Sequence, residues 1–220
     1  MLLLHRQRRL RHQGRALLHG LLLLLLLHGI MHGGVGRLRV RREWRLLEAC
    51  PEYFGMAYGH PVRPQEAELQ WLDEPPAHLG FSARHLLGLV DRHGELQAFV
   101  ESLDDMIAPG VAHLGFFVIH PSHWGTGLAA RVYSAWEAGA RARGADVVRL
   151  GVLEENLRGQ QFWLRQGYLK LREREGVEMG SKVHRLWVMA KPLTPLDHDP
   201  IAVERWKLAY WARVSRDDPR

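Results

Sequence analysis

An α/β domain is the fold class that the sequence predicts, and three observations carry it. From residue 43 onward, apolar runs of strand length alternate with amphipathic stretches of helix length. One run, Val111 to Ile119, is nearly continuous in apolar residues, as expected of a central strand covered on both faces. It passes into a long amphipathic stretch through Ile119-His-Pro-Ser-His-Trp-Gly-Thr-Gly-Leu-Ala129, where two glycines stand one residue apart at a helix start. At 220 residues and 46% hydrophobic, the chain holds one domain with a full core and some length left over.

Glu43 to Ala49 reads as a short helix that ends near Pro51. Pro64 to Asp73 reads as a second, with proline in its first turn and acids close behind, before Pro75-Pro76 breaks the chain. Leu86 to Asp91 and Glu95 to Leu103 are strands joined by Asp91-Arg-His-Gly94, a hairpin signal. Asp104 to Gly110 is a polar turn that leads into the central strand. Gly127 to Arg143 then places Leu128, Val132, Trp136 and Ala140 four apart, which buries one face of a helix, and Gly144 ends it. Val147 to Leu153 is the next buried strand. Asn156 caps a helix to about Gln166, with Gly167 where a helix-ending glycine belongs. Tyr168 to Arg174 and His184 to Met189 form a last strand pair across a loop that holds Gly176 and Gly180. No internal repeat is present.

The net charge of +6 is unevenly spread. Residues 1–48 carry ten arginines and two glutamates, a charge of +8, so the remaining 172 residues sum to −2. A nearly neutral body argues against nucleic-acid binding by the fold. Residues 1–36 are almost wholly Leu, Arg, His and Gly. The heptaleucine block from Leu21 to Leu27 is too short to cross a membrane, which takes about 20 apolar residues, and no small-x-small cleavage site follows it. A mitochondrial-type presequence fits its arginines but not its lack of serine. Residues 1–40 are therefore expected to be a disordered leader or to lie outside the natural reading frame, with Met31 as an internal start. Residues 41–193 form the expected domain. Residues 194–220 form an extension with one amphipathic helix, from Asp199-Pro-Ile201 to Val214, which can pack on the body, line the acceptor site or make a homodimer contact. The single cysteine, Cys50, excludes an intrachain disulfide and fits a reducing cytoplasm. None of the fourteen histidines stands in a metal-binding spacing, so no metal is expected.

The glycine pair points to a phosphate-bearing cofactor. A helix N-terminus carries about half a positive charge and several unpaired N–H donors, so a pyrophosphate fits there without a lysine. A Cβ on Gly125 or Gly127 would push such a group away from the amides.

In its element order and in specific residues, the chain resembles the GNAT superfamily of acyl-CoA-dependent N-acyltransferases over about residues 43–192. The family's Arg/Gln-x-x-Gly-x-Gly/Ala motif, after a strand ending Val-x-Pro, is matched by Ile119-His-Pro121 and then by Trp124, Gly125, Thr126, Gly127, Leu128 and Ala129. Its later Asn, Leu/Phe-Tyr and Gly-Phe/Tyr positions are matched by Asn156, Phe162-Trp163 and Gly167-Tyr168. The resemblance implies a mixed, mostly antiparallel twisted sheet of about six strands with helices on both faces. It also implies a V-shaped splay between the two central parallel strands, 111–119 and 146–153. Acetyl-CoA is the implied cosubstrate, its pyrophosphate on the glycine loop. Its pantetheine amides would pair with backbone near Phe117, Val118 and Ile119 on one side and with Asn156 on the other.

Transfer to an amine needs a neutral nucleophile, although alkyl amines have pKa values near 10. The resemblance implies a tyrosine that protonates the departing thiolate, but that position is Trp163, whose indole N–H is too weak an acid. Water, Tyr168 or Tyr53 are the available substitutes. Trp124 stands where the family often has Arg or Gln; it packs over the helix start or under the adenine. Candidate bases are Glu101, on the cleft face if strand alternation holds, and Glu154 and Glu155 at the end of the 147–153 strand, where they also favour the next helix start. His113 and His120 are further possibilities. The expected acceptor is an amine-bearing small molecule or a peptide, with neither nucleic acid nor membrane as partner. Two rivals remain at this level: a catalytically degenerate acyl-CoA sensor, motivated by Trp163, and a Rossmann-type nucleotide binder. The second is disfavoured because Leu128-Ala129-Ala130 supplies no third glycine and no acidic ribose contact follows.

Overall fold

The computed structural model describes residues 23–27, 44–63, 80–196 and 199–214. Strand β1 is Leu23–Leu27, and β2 (Ala83–Val90), β3 (Leu96–Asp104) and β4 (Val111–Ile119) follow. Helix α1 (Pro51–Tyr58) precedes β2, after a helical stretch over 44–48. Beyond β4 come α2 (Leu128–Ala142), β5 (Val147–Leu153), α3 (Leu157–Arg165), β6 (Leu169–Met179), β7 (Lys182–Pro192) and α4 (Pro200–Val214). The predicted helix Pro64 to Asp73 and the rest of the leader lie outside the described residues.

The strands form one sheet in the order β1-β2-β3-β4-β5-β7-β6, in which the pair β4–β5 is parallel and the other neighbours are antiparallel. The six strands from 83 to 192 make the α/β sheet the sequence predicts, and β1 adds to its edge along β2, with Leu23 opposite Val90. Helices cover both faces. Beneath α2 and α3, Leu114, Val132, Trp136, Leu150 and Tyr168 belong to one core. On the opposite face, Phe54 of α1 packs with Phe99 and Val118, and Tyr210 and Val214 of α4 pack with Val111 and Val147. The C-terminal helix thus rests on the body, and Arg213 holds Asp146 at 2.9 Å.

One local reading of the sequence is extended and another changes. The helical stretch over 44–48 ends before Pro51 as expected, and Pro51 then opens α1 at its first turn, where the missing N–H removes no hydrogen bond. The expected 175–183 loop is a continuation of β6 and β7, paired out to Met179 and Lys182. Its charged residues alternate along an exposed hairpin, so hydrophobic periodicity gives no strand signal there. The hairpin tip is also an anchor for α1. Ser181 N and Oγ both donate to Tyr58 O at 3.1 Å, and Lys182 Nζ donates to Met56 O at 3.0 Å. Gly180 sits so close that a Cβ there would lie 2.5 Å from Tyr58 O, and its φ of +59° adds a second reason for glycine.

The feature that positions the site is the parting of β4 from β5. Val111–Leu114 pair with Val147–Leu150, and the pairing stops there although both strands continue. At the same level Gly115 is left unpaired, because Glu101 faces Phe116 while Ser102 faces Leu114. This bulge bends β4 as the two strands separate, leaving the 115–119 edge with no strand beside it.

Candidate active site

The loop after β4 holds its shape through short local bonds. A 3-10 turn over Pro121–His123 is followed by Trp124, whose indole donates to Ile119 O at 3.2 Å. His123 Nε2 donates to Gln97 Oε1 at 2.9 Å, and Thr126 Oγ1 donates to His123 O at 2.7 Å. Gly125 and Gly127 have φ of +77° and +79°; Gly127 at the N-cap of α2 brings no capping side chain, and Thr126 Oγ1 accepts from Leu128 N at 3.4 Å. A Cβ on Gly125 would meet no protein atom within 4 Å, and one on Gly127 only the Arg131 guanidinium at 3.6 Å. The glycines are therefore required by backbone conformation, and the space above them is open to a ligand.

That space is one end of a cavity of about 490 Å³. Phe117, Val118 and Ile119 of the free β4 edge line it, as do Trp124, Gly125, Gly127 and Ala129 of the loop and Asn156 and Trp163 of α3. Thr126 and Leu128 do not: the first braces the loop, and the second is buried under α2. Asn156 Oδ1 accepts from Gly159 N at 2.9 Å, so it caps α3 while facing the cavity. Asn156→Ala is expected to cost about 1 kcal/mol through the lost cap, seen as a lower thermal midpoint. Arg158 and Arg165 also line this cavity, and the Arg158 guanidinium lies 3.9 Å from the centroid of the Trp124 ring. Sequence reading missed Arg158; its place in the first turn after the Asn156 cap was the available signal.

Across the parting of β4 and β5 lies a second cavity of about 320 Å³. Tyr53, Phe116, Phe117, Asn156 and Trp163 line both cavities, so they mark the passage between them. His113 and Arg149 line the second cavity, with Arg149 Nη1 donating to His113 Nδ1 at 3.3 Å. Burial, with the Arg149 charge second, lowers the His113 imidazole from 6.5 to about 3. Between those values the unfolded chain takes up a proton that the native protein does not. This contribution to stability is full above pH 6.5 and is lost as pH falls toward 3. His113→Gln is expected to flatten the fall in stability over that window, measured by denaturant unfolding at a series of pH values.

The candidate acids and bases separate clearly. Glu155 lines the first cavity, and its Oε2 is 2.7 Å from Nδ1 of the buried His184, whose Nε2 reaches Ala57 O at 2.8 Å. Glu154 faces Arg185 at 3.6 Å and lines neither cavity. Glu101 is held by Arg84 at 2.8 Å and lines neither cavity. His120 bonds Ser122 Oγ at 2.8 Å, away from both cavities. Tyr168 is only 2% exposed, packed against Tyr133 and Trp163, and its burial drives the phenol pKa upward. Cys50 lines the first cavity, but burial pushes its thiol to about 11, which keeps it from acting as a thiolate at neutral pH. Among the described residues there is no cluster of metal-binding side chains, and no helix is long and apolar enough to cross a membrane.

A family model described as "Acetyltransferase (GNAT) family" matches residues 41–168. The chain belongs to the GNAT acetyltransferase family. Its fold is shared with an acetyltransferase from Thermus thermophilus, at a TM-score of 0.56 and 20% identity over 77% of this chain and 97% of that one. The spermidine N-acetyltransferase from Vibrio cholerae, solved with CoA and spermine, gives 0.56 and 16% identity over 78% and 95%. The ribosomal-protein-S18-alanine N-acetyltransferase from Escherichia coli gives 0.53 and 12% over 81% and 97%. No curated protein matches the sequence. This GNAT enzyme departs from the usual motif at Trp124 and Trp163, and the Arg158 guanidinium over Trp124 puts a cation beside the loop where the motif's own Arg is missing.

Proposed function

We propose that this enzyme transfers the acetyl group of acetyl-CoA to a primary amine of a small molecule or peptide, by direct attack within a ternary complex. One observation carries the reading: two cavities, one floored by the glycine loop and one beyond the sheet, meet at the parting of β4 and β5. The first suits the donor. The start of α2, whose N-cap is a glycine, and Arg158 suit a pyrophosphate, and the free β4 edge offers backbone groups to the pantetheine amides. The second suits the acceptor, which reaches the thioester carbonyl through the passage. A free strand N–H at that edge supplies the donor for the developing oxyanion.

Of the three carboxylates named from sequence, Glu155 is the one at the cavity wall, so it is the residue placed to take the amine's proton, directly or through water. Glu101 and Glu154 serve as ion-pair partners in this reading, and Tyr168 as core.

The test is release of free CoA thiol from acetyl-CoA against a panel of amines and peptides. Acceptor-dependent release supports the transferase. Tight acetyl-CoA binding with no release from any acceptor supports a sensor instead. Arg158→Ala is expected to weaken acetyl-CoA binding by about tenfold, the value of one hydrogen bond to a charged group, as read by isothermal titration calorimetry.

A further inference from the structure

With Trp163 in place of the family's tyrosine, the reaction lacks a side-chain acid at the usual position, and the passage holds another phenol. Tyr53 comes from α1, on the opposite wall from Trp163, and its side chain lines both cavities. The ring is wedged edge-on against Phe54, at 5.4 Å between centroids, and against Phe116 at 6.2 Å. These neighbours hold the ring in place at the junction of the two cavities. Among the described residues, the Tyr53 hydroxyl makes no hydrogen bond to protein, so it is available to a ligand. Burial, with the neighbouring Tyr58 second, raises the phenol above its ordinary range, which keeps it protonated at any pH the enzyme works. Helix α1 is itself anchored by Ser181, Lys182 and His184, so the position of this phenol relative to the sheet is fixed by three side chains of the β6–β7 hairpin.

We propose that Tyr53 is the proton relay of the transfer step, carrying the proton shed by the acceptor nitrogen to the departing sulfur. The inference rests on the acetyltransferase reading above. In the step, the neutral amine nitrogen forms a bond to the acetyl carbon, and the carbon–sulfur bond breaks with its electron pair leaving on sulfur. The sulfur takes the Tyr53 phenolic proton, and the nitrogen's surplus proton returns to the phenolate, directly or through one water. The products are the N-acetyl amide and CoA thiol, and the tyrosine ends as it began. A phenol reachable from both cavities suits this role better than one buried behind either wall, which is where Tyr168 and Tyr133 stand.

The test compares the full-length protein with Tyr53→Phe, which keeps the ring and its packing. Turnover is expected to fall by about two orders of magnitude or more, within the roughly 10²–10⁴-fold range of positioned proton transfer, with acetyl-CoA affinity by calorimetry unchanged. Adding Trp163→Tyr to Tyr53→Phe is expected to recover about tenfold of that loss, because it returns a phenol to the same passage. A Tyr53→Phe variant that turns over within about threefold of the parent, far short of that range, overturns the proposal, as does a loss that lies wholly in acetyl-CoA affinity. A parent protein that releases no CoA with any amine overturns the acetyltransferase reading and this inference together. An active parent matched by an equally active Tyr53→Phe overturns this inference alone.

Discussion

Gly127→Glu is expected to lower acetyl-CoA affinity by about 100-fold, or roughly 2.7 kcal/mol. Two effects act in the same direction. Gly127 has a φ of +79°, where a residue with a Cβ is strained by about 1–2 kcal/mol and tends to pull the loop out of shape. The new carboxylate would also occupy the helix start, where it takes the place of the cofactor's own anionic group on the N–H donors. The protein itself should tolerate the change, because a Cβ there meets only the end of Arg131. Calorimetric titration with acetyl-CoA is the measurement, and an affinity equal to the parent's would remove the glycine loop from the cofactor site.

Trp163→Ala is expected to be the most destabilising single change at the site, by about 3–5 kcal/mol, the usual range for emptying a buried tryptophan position. The ring stands among Phe117, Tyr133, Phe162 and Tyr168, at centroid separations of 5.3, 5.6, 4.7 and 5.5 Å. Its loss would remove the wall that divides the two cavities at α3, so the functional cost adds to the structural one. Trp163→Tyr should lose far less, because most of the aromatic packing stays. Denaturant unfolding of the three proteins measures the difference. Near-equal midpoints would show that the aromatic cluster collapses to fill the space.

Much of the fold was legible because its central elements are strongly patterned. Val111 to Ile119 and Val147 to Leu153 have the bounds that their apolar runs suggested. The Asn156 cap was legible for the same local reason: a short acceptor side chain next to the first turn of an amphipathic helix. The β6–β7 extension was not, since a solvent-exposed hairpin is held by backbone pairing and needs no hydrophobic period. Nor could alternation place Glu101, because its ion pair with Arg84 of the neighbouring strand is set by tertiary pairing and leaves no mark in composition. The glycine loop's backbone conformation was legible from its two glycines, which both take positive φ. The second wall of the site was not. Tyr53 and Phe116 are far apart in the chain and meet only through tertiary packing, and Arg158 reaches Trp124 the same way.

The contact between Gly180 and Tyr58 bears on how such a site can diverge. In the proposed reading, donor recognition lies with β4, α2 and α3, while the Tyr53 helix is hung from the tip of a two-stranded arm that does not line the glycine-loop cavity. The two halves of the enzyme are therefore separable in design. Lengthening, shortening or re-angling that arm would swing the α1 wall and reshape the acceptor side, with the cofactor grip left in place. On that reading acceptor choice can vary at this contact, where a single glycine sets how close the arm may come.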